Sequence, residues 1–287
     1  MIPQKQWKAI LQLLDDEDTE VWQEVKRTLA EQGPEIVPQL EKAWENIESE
    51  LAQERLENLI QSIQLEQVIS NLTYWKYTGG VDLLEGAMLV AQYQYPTLDK
   101  VAIRKQIEQL QQEVWQLLVG SNTPLGHIRI LNHIFFEIHK FVGNKQDYDN
   151  PSNTYINHVL ESKKGNPLLL SILYIVVAQG VRLPIYGINA PQHFVVGYTQ
   201  NVYDDTANPP KVILYINPFG RGIVFTEREL DTFLEQLNIP IQAAYKEPCS
   251  NIMIIKRMLN NLLIAYQKAN KPRKVKDIEK FLAIFNG

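Results

Sequence analysis

Between Leu168 and Ala178 the chain reads Leu-Leu-Leu-Ser-Ile-Leu-Tyr-Ile-Val-Val-Ala, with no charged residue. A helix apolar on every side has to be wrapped on every side, so this run reads as a buried helix. It falls far short of the ~20 apolar residues that a membrane crossing needs. Directly after it the period changes from helical to extended. Ile185 to Ile188, His193 to Tyr198 and Val212 to Ile216 are rich in β-branched and aromatic residues and are separated by turn residues, the pattern of three strands. The stretch from Asn201 to Pro210 between the last two is expected to be a surface loop. A buried helix followed by strands, in a chain otherwise patterned as helix, predicts an α+β, mostly helical fold.

From Trp7 to Ile69 the apolar spacing is helical, with Ile10, Leu13 and Leu14, then Val21, Val25 and Leu29, then Val37, Leu40 and Trp44 on successive faces. Gly33 and Pro34 punctuate two of these helices, as a left-handed end and a favoured first-turn residue. The acidic turn Asp15-Asp16-Glu17-Asp18 precedes Val21, where unpaired helical amides favour negative charge. From Leu14 to Trp44 this resembles one HEAT repeat, which cannot bury its own apolar face and is expected to pack on the rest of the chain. A second helical block runs from Val81 to about Lys140, with stripes ending in Leu117 and in Ile130, Ile134 and Ile138. Thr226 and Glu229 form a capping-box pair. Two stripes after Ile252 resemble a single tetratricopeptide-like helical hairpin. The expected organisation is an N-terminal helical segment over 1–70, a core with its preceding helices over 71–245, and a C-terminal hairpin over 246–287.

Composition closes several routes. Of 287 residues 45% are hydrophobic and 21% charged, and the net charge is −5, which offers no general attraction to nucleic acid or to an anionic membrane. The start has no apolar segment and no small-residue cleavage site, so a cytoplasmic location is expected. A lone cysteine, Cys249, forbids an internal disulfide and a cysteine-based metal cluster. His127, His133, His139 and His158 show neither the glutamate spacing nor the cysteine companions of a zinc site and are expected at the surface or an interface. No metal and no cofactor is expected.

Three short stretches carry the chemistry. Lys163-Lys164-Gly165-Asn166-Pro167 precedes the buried helix, Pro191-Gln192-His193-Phe194 enters the second strand, and Tyr215-Ile216-Asn217-Pro218-Phe219 closes the third. In a cysteine–histidine–carboxylate enzyme the nucleophile opens a helix, the histidine lies on a following strand and the orienting group on the next. The order is kept here, and Pro167 stands where sulfur would be needed. Together with Gly143-Asn144, Tyr148, Pro151, Asn153-Thr154-Tyr155, Val159-Leu160 and Gly222, these residues resemble the SirB-type, transglutaminase-like family over Asn144 to Gly222, and more weakly over nearly the whole chain.

The resemblance implies a papain-like core in which the helix starting near Gly165 packs against a small antiparallel sheet. In active relatives of the wider superfamily the cysteine follows a basic pair, a glycine and one further residue, which places it at Pro167. Members of the family itself commonly show proline there. They also carry a hydroxyl two positions later, here Leu169, a glycine before the histidine, here Gln192, and an aspartate before Pro218, here Asn217.

Proline has neither a nucleophile nor an amide hydrogen, so thiolate catalysis is closed. Asn217 can orient His193 only through a neutral hydrogen bond, where an aspartate would favour the imidazolium. Ser171, one turn after Pro167, is expected to be a buried hydroxyl bonded to a backbone carbonyl, and Cys249 a small buried or half-buried apolar residue. His193 reads as a structural histidine, a retained pocket residue or a general base. No catalytic residue is assigned, and His193 and Asn217 remain as remnants. Tyr148, Asn153, Tyr155, Asn166, Pro167, Gln192, His193 and Asn217 are the expected binding residues. The leading expectation is a non-catalytic protein that uses the degenerate cleft or its helical faces to hold a protein or peptide. An amide-bond hydrolase or acyl transferase with an unusual nucleophile, and a purely structural assembly factor, are the alternatives.

Overall fold

The computed structural model describes residues 2–200 and 210–286, and the chain divides into two compact units, Met1–Thr73 and Tyr74–Gly287. The expected loop from Asn201 to Pro210 lies outside the described residues except for its last position.

The first unit is built from α1 (Gln4–Leu13), α2 (Thr19–Ala30), α3 (Val37–Trp44) and most of α4 (Glu50–Tyr77). Asp18 caps α2 by accepting from the Glu20 amide at 2.8 Å, which is the local purpose of the acidic turn. Gly33 adopts φ +68, as the helix-breaking pair demands. The repeat-like pair does not leave its apolar face open. Leu14, Leu29 and Leu40 meet Leu56 and Leu59 from the first half of α4 in a core closed within residues 2–63. Arg55 fastens the turn after α1, giving Nη1 hydrogen bonds to the carbonyls of Leu14 at 2.8 Å and Asp16 at 2.7 Å. Leu13 and Trp44, placed on the buried stripes by their spacing, are exposed.

The second unit continues with α5 (Leu83–Gln94), α6 (Lys100–Leu118), α7 (Pro124–Asn132), β1 (Val142–Gly143), α8 (Ile156–Ser162), β2 (Lys164–Gly165) and α9 (Pro167–Gly180). It ends with β3 (Ile185–Ile188), β4 (Val195–Thr199), β5 (Val212–Asn217), β6 (Ile223–Phe225), α10 (Glu227–Gln236), α11 (Asn251–Lys268) and α12 (Pro272–Ile284). The fold is α+β and mostly helical.

The apolar run is its hub. From Pro167 to Ala178 all but Val176 are buried, with α5, α6, α8 and α11 packed against the same helix that rests on β3 and β4. Burying one such side chain contributes about 1.5–3 kcal/mol, so α9 is a large contributor to the stability of this unit. The sheet has the antiparallel order β3-β4-β5-β6. The strand β6 was not legible in the sequence, and β4 begins at Val195, two residues after the expected start at His193. Register pairs Ile188 with Val195, Val196 with Ile216 and Asn217 with Ile223. β1 and β2 form a separate parallel pair, with Val142 beside Lys164 and Gly143 beside Gly165.

Two stripe expectations fail for local reasons. After α7 the backbone widens into a π-helical segment over His133–Ile138, which rotates Ile138 away from the core and leaves it exposed. Leu117, in the last turn of α6, is also exposed. The Thr226–Glu229 capping box is present, and it opens α10. The C-terminal hairpin of α11 and α12 lies in the same compact unit as the sheet, with α11 packed on α5 and α9. No helix among the described residues is long and apolar enough to cross a membrane.

Candidate functional site

Asparagine side chains set the entrance to α9. Asn166 is its N-cap: Oδ1 accepts from the Leu169 amide at 2.8 Å, and Nδ2 donates to the Thr154 hydroxyl at 2.8 Å. Asn153 is 1% exposed and gives Nδ2 hydrogen bonds to the carbonyls of Asp147 at 2.6 Å and Tyr148 at 3.2 Å. Its Oδ1 accepts from Asn144 Nδ2 at 2.9 Å, and its carbonyl accepts from the Asn166 amide at 3.2 Å. These asparagines tie the polar 144–151 loop to the first turn of α9. Pro167 follows at the first helical position, where a missing N–H costs nothing.

Beside this turn lies an open groove of about 630 Å³, bounded by the 148–154 segment, the start of α9, the turn around Asn189 to Phe194, and α11. Tyr148, Asn166, Pro167 and Gln192 line it, so four of the expected binding residues share one surface. Asn153 and Tyr155 do not. Asn153 is consumed by the loop, and Tyr155 is 1% exposed, with its hydroxyl 2.6 Å from that of Tyr266. Burial, then the neighbouring Tyr266, holds the Tyr155 phenol well above its usual pKa. Both residues brace the wall from behind.

His193 and Asn217 are brought together, yet neither lines the groove. His193 lies two residues before β4 and Asn217 closes β5, so the antiparallel pairing of the two strands brings them together diagonally. The separation of Asn217 Nδ2 and His193 Nε2 is 3.0 Å. Asn217 Oδ1 is already taken by the Gly220 amide at 3.0 Å, so the amide nitrogen is the end that faces the ring. Nε2 therefore accepts, and the neutral ring carries its proton on Nδ1. Burial lowers the His193 pKa, and the Arg257 charge acts in the same sense; only an Asn217 oxygen turned to the ring would oppose them. The ring packs against Phe233 of α10, with centroids 5.6 Å apart.

The substitute nucleophiles are accounted for. Ser171 is fully buried and donates its hydroxyl to the Pro167 carbonyl at 2.8 Å. Cys249 is half-buried, and burial pushes its thiol up to about 12. The other histidines have local partners where these are resolved. His127 bridges the Tyr198 hydroxyl and the Ser121 carbonyl, and His139 meets Glu113. His133 Nδ1 lies 2.6 Å from Glu137 Oε2, four residues on along the same helical segment. Among the described residues no group of three or more histidine, cysteine, aspartate or glutamate side chains is placed to hold a metal.

The far wall was not read from the sequence. Met253, Arg257, Asn261, Ile264 and Lys268 recur every three or four residues along α11 and face the groove. Their spacing is visible in the chain, as the stripe beside the apolar one. Among them Arg257 is the most enclosed, held by Asn189 and by the carbonyl of Ala190.

Comparison with known proteins bears on this geometry. The model of the transglutaminase-like superfamily matches residues 101–260, which include α9, the sheet and the arginine-bearing part of α11. A UPF0162 protein of Xylella fastidiosa strain 9a5c is 29% identical over 222 residues, covering 72% of this chain and 74% of that protein. One from strain Temecula1 is 30% identical over 175 residues, covering 58% of this chain and 57% of the relative. Human F-box only protein 21 is 28% identical over 202 residues, which span 63% of this chain and only 32% of that longer protein. No solved structure gives a significant match.

Proposed function

The chain belongs to the transglutaminase-like superfamily, and we propose that it is a non-catalytic member, of the SirB-type branch, whose groove holds a segment of a protein or peptide partner. The observation that carries this reading is Pro167 at the first position of α9, on the lip of an open groove of mixed polar and apolar lining. The superfamily's acyl-transfer chemistry needs an ionisable nucleophile at a helix N-terminus, and proline supplies none. Ser171 spends its hydroxyl on a carbonyl, the Cys249 thiol stays protonated, and the accepting nitrogen of His193 is occupied by Asn217. An amide-bond hydrolase would therefore find neither Ser171 nor Cys249 ready to attack and no free base at His193. A purely structural role leaves the groove without a use.

The test is site-specific photo-crosslinking. p-Benzoylphenylalanine replaces Gln192, an exposed residue on the groove wall, or Trp115, exposed on α6. Irradiation in the source cells is expected to join a defined partner to position 192 and not to position 115. Equal yields from the two positions, or none from 192, contradict the reading.

A further inference from the structure

The charge of the groove runs against that of the chain. The protein carries −5, yet the lining presents Lys256, Arg257 and Lys268 against one carboxylate, Asp149. Lys268 already bridges Asp149 at 2.7 Å. Lys256 donates to the carbonyl of Phe285 at 3.5 Å and meets no carboxylate among the described residues. Arg257 meets no carboxylate among the described residues. Its Nη1 donates to Asn189 Oδ1 at 2.6 Å and to the Ala190 carbonyl at 2.7 Å, and its guanidinium lies 5.7 Å from the centre of the Phe194 ring.

A guanidinium has five N–H donors, and these two bonds use both hydrogens on Nη1. Three remain, on Nε and Nη2, with no protein partner among the described residues. The Nε–Nη2 edge is a planar fork that matches the two oxygens of a carboxylate. The Asn189 and Ala190 bonds fix the plane of that fork before anything binds, which reduces the ordering cost of a ligand. A half-buried cation without a counter-charge is costly to hold, and a ligand anion would offset that cost. A single arginine flanked by one lysine that meets no carboxylate among the described residues suits one planar anion better than a phosphorylated residue, whose readers use arginine clusters.

The geometry points to a peptide carboxylate as the group the groove selects, seated on the Nε–Nη2 edge of Arg257 with Lys256 adding charge attraction. This inference rests on the proposal that the groove binds a peptide and gives that peptide its chemistry. The carboxylate comes either from an aspartate or glutamate side chain or from a free C-terminus.

Three bead libraries of random decapeptides separate the cases: one with acidic residues and an amidated C-terminus, one without acidic residues but with a free C-terminus, and one with neither. Full-length protein is expected to be retained by the first or the second and not by the third. Peptides sequenced from the retaining library are expected to bind Arg257→Gln about tenfold more weakly, with Arg257→Lys between the two, since lysine keeps the charge and loses the fork. Because Arg257 also braces the 189–190 turn, Lys256→Glu is the second variant; it leaves that brace intact and is expected to weaken binding and its salt dependence. Retention by the third library, blocked by the groove-filling Gln192→Trp, would keep the peptide reading and overturn the carboxylate. Affinity unchanged in both Arg257→Gln and Lys256→Glu also overturns it. If no library is retained, both readings fall.

Discussion

Asn217 turns its amide nitrogen to His193 at 3.0 Å while its oxygen is held by the Gly220 amide. The two side chains satisfy each other. The ring is held neutral and half-buried against Phe233.

The pH dependence of His193 follows from this. Burial and the Arg257 charge lower its pKa. Above the unfolded value of about 6.5 both states are neutral and the residue adds nothing. As pH falls below that value the unfolded chain takes up the proton first, so stability declines until the folded pKa is passed. Asn217→Asp keeps an acceptor for Gly220 and adds a charge that favours the imidazolium, so the His193 midpoint should rise relative to the wild type. An NMR titration of the His193 ring checks both; a wild-type midpoint above ~6.5, or one unmoved in the variant, contradicts the assignment.

Gly143 lies under the Phe219 ring, where an added Cβ would come within 2.5 Å of Cδ2 and Cε2. Phe219 in turn meets Tyr148 edge-on at 6.0 Å. Gly143→Ala should cost about 1–3 kcal/mol by overpacking, read by urea denaturation. The cost should shrink in a Phe219→Leu background, the signature of a direct clash. Equal costs in the two backgrounds would place the strain elsewhere.

Tyr155→Phe removes one partner of the 2.6 Å hydroxyl pair, and Tyr266 keeps Gln94 at 3.3 Å. The expected loss is about 0.5–1.5 kcal/mol of stability, with no change in crosslinking from position 192. Loss of crosslinking at unchanged stability would return Tyr155 to the binding surface.

Much of this was legible in the chain because single residues dictate local geometry. The apolar run reads as a wrapped helix, Pro167 suits its first turn, and Thr226 with Glu229 reads as a capping box, and all three are in place. What stayed hidden depends on pairing between distant segments. Nothing near Ile223 announces a three-residue strand until β5 is there to accept it. Tyr155 and Asn153 sit among the motif residues of the site, yet burial turns them into braces. Arg257 belongs to no sequence motif and becomes a groove residue only when the turn at Asn189 meets it.

The absence of a competent nucleophile is tested most directly by intact-mass analysis after exposure to broad panels of acylating and alkylating probes, with peptide mapping of any adduct. The native protein is expected to show no adduct on the groove or beside His193. Cys249 should react only slowly at pH 8, since a thiol pushed up to about 12 leaves about one in ten thousand ionised. Rapid single-site labelling of a side chain near His193, with amide or ester turnover that disappears when that side chain is removed, would contradict the account.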